Sequence, residues 1–320
     1  MTRYIIRRLL WGVFLLIVVA ALTFVFFRIL PTADPAKLRA GRLQNPRIIA
    51  EIRHDLGLDK PLITQFWEYM KGIFLHFNLG YSYYSNAPVK ELVMNRLPAT
   101  ISLTVGAAIV WILIGIPVGI VSAIKQRSLL DRASMGTALV FVSAPVYWLA
   151  LLCLYAFASD IGRVHIFPGA NSYVGLTYDP IKWFTSLILP WFVLAATSAA
   201  VYARVLRGSL LEVMGEDYIR TARAKGLPER RVIWRHGVRA AINPIATLLA
   251  LDIGILLGGA VLTETVFDIP GIGRLNYDAI THSDFPIVQG TVLLAALFIV
   301  IANIVVDIAY AYLDPRVRYS

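Results

Sequence analysis

The sequence predicts an all-α membrane protein with six transmembrane helices, and its composition and its long apolar runs are the two observations behind this. Of 320 residues, 58% are hydrophobic and 16% are charged, with a mean hydropathy of +0.67. Soluble domains are about 45–50% apolar and about 25% charged, so this apolar surplus needs a lipid environment. Several runs also approach or exceed the roughly 18–20 residues that cross about 30 Å of hydrocarbon.

The apolar runs divide the chain into segments. The predicted spans are Leu9–Leu30, Ala99–Ile124, Gly136–Ala158, Phe184–Leu206, Pro244–Phe267 and Ile287–Leu313. The first run is too long for a signal peptide, whose apolar core has about 7–15 residues, and no small-residue cleavage site follows it. We therefore expect an N-terminal transmembrane helix (1–30), an extracytoplasmic helical loop (31–98), and a five-helix core (99–320) with a cytoplasmic loop at 204–243.

The basic residues predict the orientation of these spans. If both termini are cytoplasmic, the inner segments hold seventeen Lys and Arg residues, against three in the two short outer loops. That asymmetry follows the positive-inside rule, from which the long loop at 31–98 is exempt by its length. The same placement at the span ends explains the net charge of +10 by contact with membrane lipid, and we expect no nucleic-acid partner.

The long outer loop contains helix signals. Asn45-Pro46 is typical of a helix start, and the helix is expected to reach about Asp55. A second helix is expected after Asp59, and the stretch Asn78–Pro88 is expected to be irregular. Two interpretations stay open for this loop: contact with a partner or substrate, and a packed connector that shields the span ends.

The loop at 204–243 is the most informative segment. A short helix is predicted over Tyr218–Lys225, with Gly226 as its left-handed terminator and Pro228 opening a basic helix, Glu229–Arg239. The small residues Ala222, Ala224 and Gly226 would allow a second protein to approach the backbone closely. This pattern favours docking onto a cytoplasmic partner over pure lipid anchoring. A DNA-binding helix-turn-helix would lack a supporting core here.

The segment Asp217–Leu227, with the sequence DYIRTARAKGL, resembles the coupling helix of binding-protein-dependent ABC importer permeases in its peptide-transporter form. The general family pattern begins with EAA, but this chain has Arg220-Thr221-Ala222 at those positions, so it departs from the general motif. Its sequence follows the peptide-permease form of the motif closely. Further similarity to the dipeptide/oligopeptide B-type subunit lies in RLPAT (96–100), GIPVG (115–119), GGAV (258–261), ETVF (264–267), PGIGR (270–274) and LDPRVRY (313–319).

The resemblance implies a type I ABC importer permease fold and a bacterial or archaeal inner-membrane location. It also implies a second homologous permease, two cytoplasmic ATP-binding subunits and an extracytoplasmic solute-binding protein as partners. The ATPase-coupling residues would be Tyr218, Ile219, Arg220, Thr221, Ala222, Arg223, Ala224, Lys225, Gly226 and Leu227. The solute would be a di- or oligopeptide, with nickel chelates, glutathione or oligosaccharides as alternatives for the same machinery.

Competing classes find less support in the residues. The chain has no G-x-x-x-x-G-K-[ST] loop for nucleotide. Its single cysteine, Cys153, excludes a disulfide framework, and its five histidines lack metal-ligand spacing. We therefore expect no catalytic residue, no metal and no cofactor. A secondary transporter would be expected to show broken helices in internal repeats, which the sequence does not display.

Charged and amide side chains inside predicted spans are costly and so are functional candidates. Asp252 in the fifth span and Asn303 in the sixth are candidates for the translocation path or for contact with the second permease. An internal structural pair is the alternative for both, and it is favoured for Asp307. Gly254, Gly258 and Gly259 are expected to be close-packing positions.

Overall fold

The computed structural model describes residues 2–29, 34–40 and 45–313. Its helices are α1 (Thr2–Phe24, continued by a π turn over Val25–Ile29), α2 (Pro35–Ala40), α3 (Pro46–Asp55), α4 (Leu62–His76), α5 (Val89–Ile124), α6 (Leu129–Ser143), α7 (Val146–Phe157), α8 (Pro180–Val213), α9 (Asp217–Ala224), α10 (Glu229–Ala241, with a π turn over Val232–Val238), α11 (Asn243–Leu257), α12 (Val261–Val266), α13 (Ile272–Thr281) and α14 (Phe285–Leu313). The tail motif beyond Leu313 lies outside the described residues.

The described residues confirm the all-α class and contain four to six candidate membrane spans. Helices α1, α5, α8 and α14 are each long and apolar enough to cross a membrane, and two bent helix pairs bring the number of candidate spans to six. In these ranges the only β-structure consists of two isolated bridges, Tyr81 with Pro88 and Ala158 with Phe167. The continuous helices run beyond the predicted spans, since α5 begins ten residues earlier at Val89 and α8 continues to Val213.

The third predicted span, Gly136–Ala158, is not one straight helix. It divides between α6 and α7, which meet at an angle of 103°. Ala144 takes an extended conformation, with φ −80° and ψ 127°, directly before Pro145. Proline disfavours the helical region for the residue before it and has no N–H to donate, so Pro145 bends the chain at this point.

The fifth predicted span, Pro244–Phe267, also ends earlier than expected. Helix α11 stops at Leu257, and the chain turns through Gly258 and Gly259 into the short helix α12. Gly259 has φ +123°, which is open only to glycine, and a Cβ there would lie 2.5 Å from backbone atoms of Gly273. Gly259 is therefore required both by its conformation and by this close approach of two backbone segments.

Small residues bring the central helices α5 and α8 together. A Cβ on Gly115 would lie 2.9 Å from the carbonyl oxygen of Ala199, and a Cβ on Gly119 would lie 2.8 Å from that of Ala203. Both pairs have the i, i+4 spacing at which small residues let membrane helices pack backbone to backbone. The buried Trp111 and Tyr202 fill the same interface. The GIPVG segment is thus a packing motif.

The second helix pair of the core is formed by α11 and α14. Cβ atoms on Gly254 and Gly258 would lie 2.8 Å and 2.6 Å from the side chains of Ala302 and Ala295. This confirms the prediction that these two glycines are close-packing positions. Helix α1 lies on the other side of α14, where a Cβ on Gly12 would lie 2.7 Å from Val300.

The outer loop follows its helix signals. Asn45 caps α3 by accepting a hydrogen bond from the amide of Arg47 at 3.0 Å, and α3 ends at Asp55 as predicted. Helix α4 packs its buried Met70 against Ala20 of α1 and Leu293 of α14. The short helix α2 was not predicted. Helix α4 thus rests on α1 and α14.

Candidate functional site

The short helix α9 forms between α8 and α10, as the sequence predicts. It begins at Asp217 and ends at Ala224, and Gly226 follows in the left-handed conformation at φ +75°. The amides of Lys225 and Leu227 donate to the carbonyls of Thr221 and Ala222 at 3.0 and 3.4 Å, which closes the last turn. The predicted terminator role of Gly226 is confirmed.

The inner face of α9 packs on the chain itself. Ile219 and Ala222 are buried, and they form a cluster with Val232 of α10, against which Met214 and Leu227 pack. Helix α10 is held to the end of α8 in turn, because a Cβ on Gly237 would lie 3.0 Å from the sulfur of Met214. The sequence analysis predicted that Ala222 lies on a small-residue surface that contacts a partner. In the structure its methyl group is buried in this intramolecular cluster instead.

The outer face of α9 is charged and open. Among the predicted coupling residues, those with exposed side chains or backbone are Tyr218, Arg220, Thr221, Arg223, Ala224, Lys225 and Gly226. Arg223 donates to both carboxylate oxygens of Glu229 at 2.7 and 3.1 Å, and these hydrogen bonds raise the pKa of Arg223. Arg220 pairs with Asp217 at 3.2 Å. The result is a charged, exposed surface in which Ala224 and Gly226 are the positions with small side chains or none.

The basic helix α10 continues this surface. Its exposed residues include Arg230, Arg231, Arg235 and Arg239, and Trp234 is 55% exposed beside them. Within the described ranges, none of these four arginines has an ion-pair partner at 4 Å or less. The loop at 204–243 therefore presents two helices whose inner faces are packed and whose outer faces are cationic.

The two candidates for the translocation path have different surroundings. Asp252 on α11 is half-buried and accepts a 2.8 Å hydrogen bond from the hydroxyl of Tyr202 on α8. Tyr202 itself is fully buried against Trp111. Asn303 lies on an exposed face of α14. The side chain of Asp307 lies outside the described set.

Glu264 is a residue whose role the sequence did not reveal. It lies near the end of the fifth predicted span and has no exposed surface. Its carboxylate accepts hydrogen bonds from the hydroxyl of Thr100 at 2.9 Å and from the amides of Ala260 and Arg274 at 3.3 and 2.9 Å. It thereby holds together the non-helical backbone on both sides of α12.

Glycines make room for that carboxylate. A Cβ on Gly271 would lie 2.3 Å from the carboxyl carbon of Glu264, and a Cβ on Gly273 would lie 3.0 Å from one of its oxygens. The hydroxyl of Thr100 completes the site by accepting from the amide of Ile272 at 2.8 Å. The RLPAT segment thus forms one buried hydrogen-bonded site with the neighbouring ETVF and PGIGR segments, which follow it more than 160 positions later in the sequence.

A second buried carboxylate fixes the irregular outer loop. Asp284, in the turn before α14, accepts from the hydroxyl of Ser82 and from the amides of Tyr83 and Tyr84 at 3.0 and 3.2 Å. The ring of Tyr84 also lies 4.3 Å from that of His282, centroid to centroid. We call this contact the outer latch. It attaches the loop at 78–88 to the start of the last transmembrane helix.

The described residues contain no group of three or more His, Cys, Asp or Glu side chains that could hold a metal ion. The buried carboxylates at 264 and 284 are already occupied by hydroxyl and amide donors. Both carboxylates therefore serve as buried acceptors that join separate segments of the chain.

Comparison with known proteins agrees with this architecture. Residues 115–319 match the family described as binding-protein-dependent transport system inner membrane component, and residues 1–104 match the N-terminal family of the same transport systems. The fold is similar to that of a chain in an inward-facing structure of the MetNI methionine ABC transporter, with a TM-score of 0.52 at 16% identity over 70% of this chain and 97% of that one.

Curated relatives match over their whole length. A putative peptide transport system permease protein of Brucella abortus is 41% identical over 320 residues, covering all of both chains. A dipeptide transport system permease protein of Alkalihalophilus pseudofirmus is 40% identical, and a glutathione transport system permease protein of Salmonella choleraesuis is 39% identical, each again over the full length of both chains.

Fold, spans and charged loop define an integral membrane permease of a binding-protein-dependent ABC importer. Within that class, the chain belongs to the binding-protein-dependent transport system inner-membrane component family, matched by residues 115–319.

The outer latch makes a prediction about local stability. In Asp284→Asn, one side-chain oxygen becomes an amide group that cannot accept, so Ser82, Tyr83 and Tyr84 compete for a single acceptor. Hydrogen bonds to charged groups contribute about 1.5–3 kcal/mol, so exchange of the Tyr83 and Tyr84 amides should accelerate on the order of tenfold or more. Hydrogen–deuterium exchange with mass spectrometry measures this. Asp278→Asn, on exposed α13 nearby, should leave the loop at the wild-type rate; equal protection in both variants would contradict the latch.

Proposed function

We propose that this chain forms half of the translocation path of an ABC importer for di- and oligopeptides. It works with a second homologous permease, two cytoplasmic ATPases and an extracytoplasmic solute-binding protein, and it hydrolyses no ATP itself. Support for the solute comes from full-length relatives named for peptide and dipeptide transport. A relative named for glutathione transport is 39% identical against 40% for the dipeptide permease, a difference too small to separate the two solutes.

Glutathione is accordingly the second candidate solute. It shares amide bonds and terminal carboxylates with short peptides, so both solutes would need the same kinds of polar contacts along the translocation path. The assembled importer in proteoliposomes, given either a tritiated dipeptide or tritiated glutathione, distinguishes them by ATP-dependent uptake. Uptake driven by a proton gradient without ATP would overturn the proposal in favour of a secondary transporter.

The single observation that supports energy coupling best is the two-sided character of α9. Its inner face is anchored by Ile219 and Ala222 on the chain's own α10, while its outer face is free and charged. A helix of eight residues has no stability of its own in water, so its fixed position depends on that inner packing. In this proposal Tyr218–Leu227 is the coupling helix, and its outer face docks on an ATPase.

The orientation of the chain is part of the proposal and is supported by the seventeen-to-three distribution of basic residues. Both termini and the loop at 204–243 then face the cytoplasm, and residues 31–98 face outside. In a Cys153→Ala background, Tyr84→Cys should react with a membrane-impermeant maleimide in intact cells, since Tyr84 is 71% exposed. Lys225→Cys should react only after permeabilisation. Labelling of position 225 in intact cells would reverse the topology.

Gly226 offers the sharpest test of the coupling helix. Among the described residues other than its chain neighbours, no heavy atom lies within 4 Å of a Cβ built there, so a substitution is expected to act through backbone strain at φ +75° or through the partner surface. Left-handed backbone costs most residues about 1–2 kcal/mol, whereas asparagine tolerates it. Gly226→Leu should therefore reduce ATPase stimulation by the loaded binding protein about tenfold, with normal membrane insertion.

Gly226→Asn is the matched control, because asparagine is close to leucine in size and differs in its tolerance of this conformation. It should retain more than half of the stimulation if the helix terminator is what matters. Arg223→Ala should be mild, since an exposed ion pair contributes about 1 kcal/mol or less. Full stimulation and full co-purification of the ATPases with Gly226→Leu would end the coupling assignment.

Asp252 and Asn303 are proposed to line the translocation path. The half-buried carboxylate of Asp252 retains exposed surface beyond its bond to Tyr202. Asp252→Asn preserves the acceptor for Tyr202 and removes the charge, so thermal stability in detergent should stay within about 1 kcal/mol while uptake falls several-fold. Tyr202→Phe is the complementary control, since it breaks the hydrogen bond and keeps the carboxylate. Unchanged uptake in Asp252→Asn at normal expression would assign Asp252 a purely structural role.

A further inference from the structure

A partly buried ion pair joins α6 to α8 close to the cytoplasmic end of both helices. Asp131 on α6 is 4% exposed, and its two carboxylate oxygens receive Nε and Nη2 of Arg207 from α8 at 2.7 and 2.9 Å. This two-pronged geometry is the strong form of the arginine–carboxylate contact, because both hydrogen bonds are charge-assisted and planar. The pair was not apparent from the sequence, where the two residues are 76 positions apart.

The remaining partners of Asp131 come from α5 and the turn after it. The hydroxyl of Ser122 and the amide of Arg127 donate to its two oxygens, the latter at 2.8 Å. Arg127 takes φ +64° to direct that amide, and Ser128 caps α6 by accepting from the amide of Asp131 at 3.2 Å. The carboxylate is thus fully occupied, and α5, α6 and α8 meet at one point. We call these contacts the inner clamp.

The inner clamp lies on the route between α9 and the membrane core. Arg207 is six residues before the end of α8 at Val213, which corresponds to about 9 Å of helix. Helix α9 begins four residues further on and is fastened to that end of α8 through Met214, as described above. A displacement of α9 therefore reaches Arg207 along a continuous helix.

Away from the clamp, α6 and α8 also pack against each other through apolar side chains. Both helices line an open groove of about 450 Å³ whose lining includes Ala133, Thr137, Phe141 and Ala203. Beyond the groove, the 103° bend at Pro145 separates α6 from α7. Among the described residues, the ion pair is the hydrogen-bonded contact that links the cytoplasmic end of α6 to α8.

We infer that the Asp131–Arg207 pair is a positioning device that makes the cytoplasmic end of α6 move with the coupling helix as one body. The inference rests on the proposed function. Without the pair, α9 and α8 would still respond to the ATPase, but α6 would no longer follow, so ATP would be hydrolysed without matching transport. Arg207 and Asp131 are positioning residues in this scheme and need not touch the solute.

The test uses the complete importer in lipid nanodiscs and proteoliposomes, in a Cys153→Ala background. Spin labels at Leu129, the 83% exposed first residue of α6, and at the exposed Glu212 near the end of α8 report the distance between the two helices. The otherwise wild-type complex should give one narrow distance, unchanged between the nucleotide-free and ATP–vanadate-trapped states. In Asp131→Asn and Arg207→Gln the distance should broaden and change between the two states.

Coupling is measured on the same variants as uptake of a tritiated dipeptide per ATP hydrolysed. The ratio should fall about tenfold in each single variant, while basal hydrolysis and co-purification of the ATPases stay within twofold of wild type. The double variant should be no worse than the poorer single one, because residues that act as a pair do not lose their contribution twice. Arg132→Gln removes an exposed charge adjacent to Asp131 and should match wild type.

The outcomes separate the two proposals. Lost uptake that merely tracks the amount of assembled complex, or an unchanged ratio with an unchanged label distance, would overturn the inner clamp as a coupling device. Failure of the ATPases to co-purify with the wild-type chain would overturn the proposed function instead. If the wild-type complex imports no dipeptide, the label distance alone supports or overturns the clamp.

Discussion

In the hydrocarbon of a membrane, a backbone amide or carbonyl without a partner costs several kcal/mol, so a chain can stop being helical only where the protein itself supplies partners. Both breaks in the core meet this requirement, in different ways. At Ala144-Pro145 the residue that bends the chain has no N–H to lose. Around α12, Glu264 and Thr100 accept hydrogen bonds from the backbone amides of Ala260, Ile272 and Arg274.

The second of these breaks shows why a costly carboxylate is retained in an apolar region. The amides of Ile272 and Arg274 belong to the first turn of α13, where a helix leaves its N–H groups unpaired. Glu264 and Thr100 act as distant caps for that turn. This arrangement requires glycine at 271 and 273, because a side chain at either position would occupy the space of the carboxylate or of the adjacent backbone.

Buried carboxylates connect separate helices at three positions in the molecule. Asp284 joins the outer loop to α14, Glu264 joins α5 to the turn before α13, and Asp131 joins α5 and α6 to α8. Each is saturated with amide, hydroxyl or guanidinium donors, which is the condition under which a buried charge is tolerated. Apolar packing through small residues brings the helices into contact, and these polar contacts fix how they are oriented at their ends.

The sequence by itself determined the all-α membrane class, the six apolar runs and the helix signals at Asn45-Pro46 and Gly226. Those features depend on local properties, namely hydropathy over about 20 residues, caps, and the freedom of glycine to adopt positive φ. It also indicated that Gly254 and Gly258 are packing positions, since glycine in a membrane helix is most useful where another helix approaches.

Tertiary structure alone decided which face of each element is used. Ala222 was expected on an outward small-residue surface, yet α9 turns it inward because Val232, 10 positions away in the sequence, completes an apolar cluster. The role of Glu264 was not apparent because hydropathy does not reveal that Thr100 and Arg274 converge on it. The pairing of Asp131 with Arg207 likewise depends on the approach of α6 to α8. Such contacts join residues distant in sequence, and the energy that selects them exists only once the helices have packed.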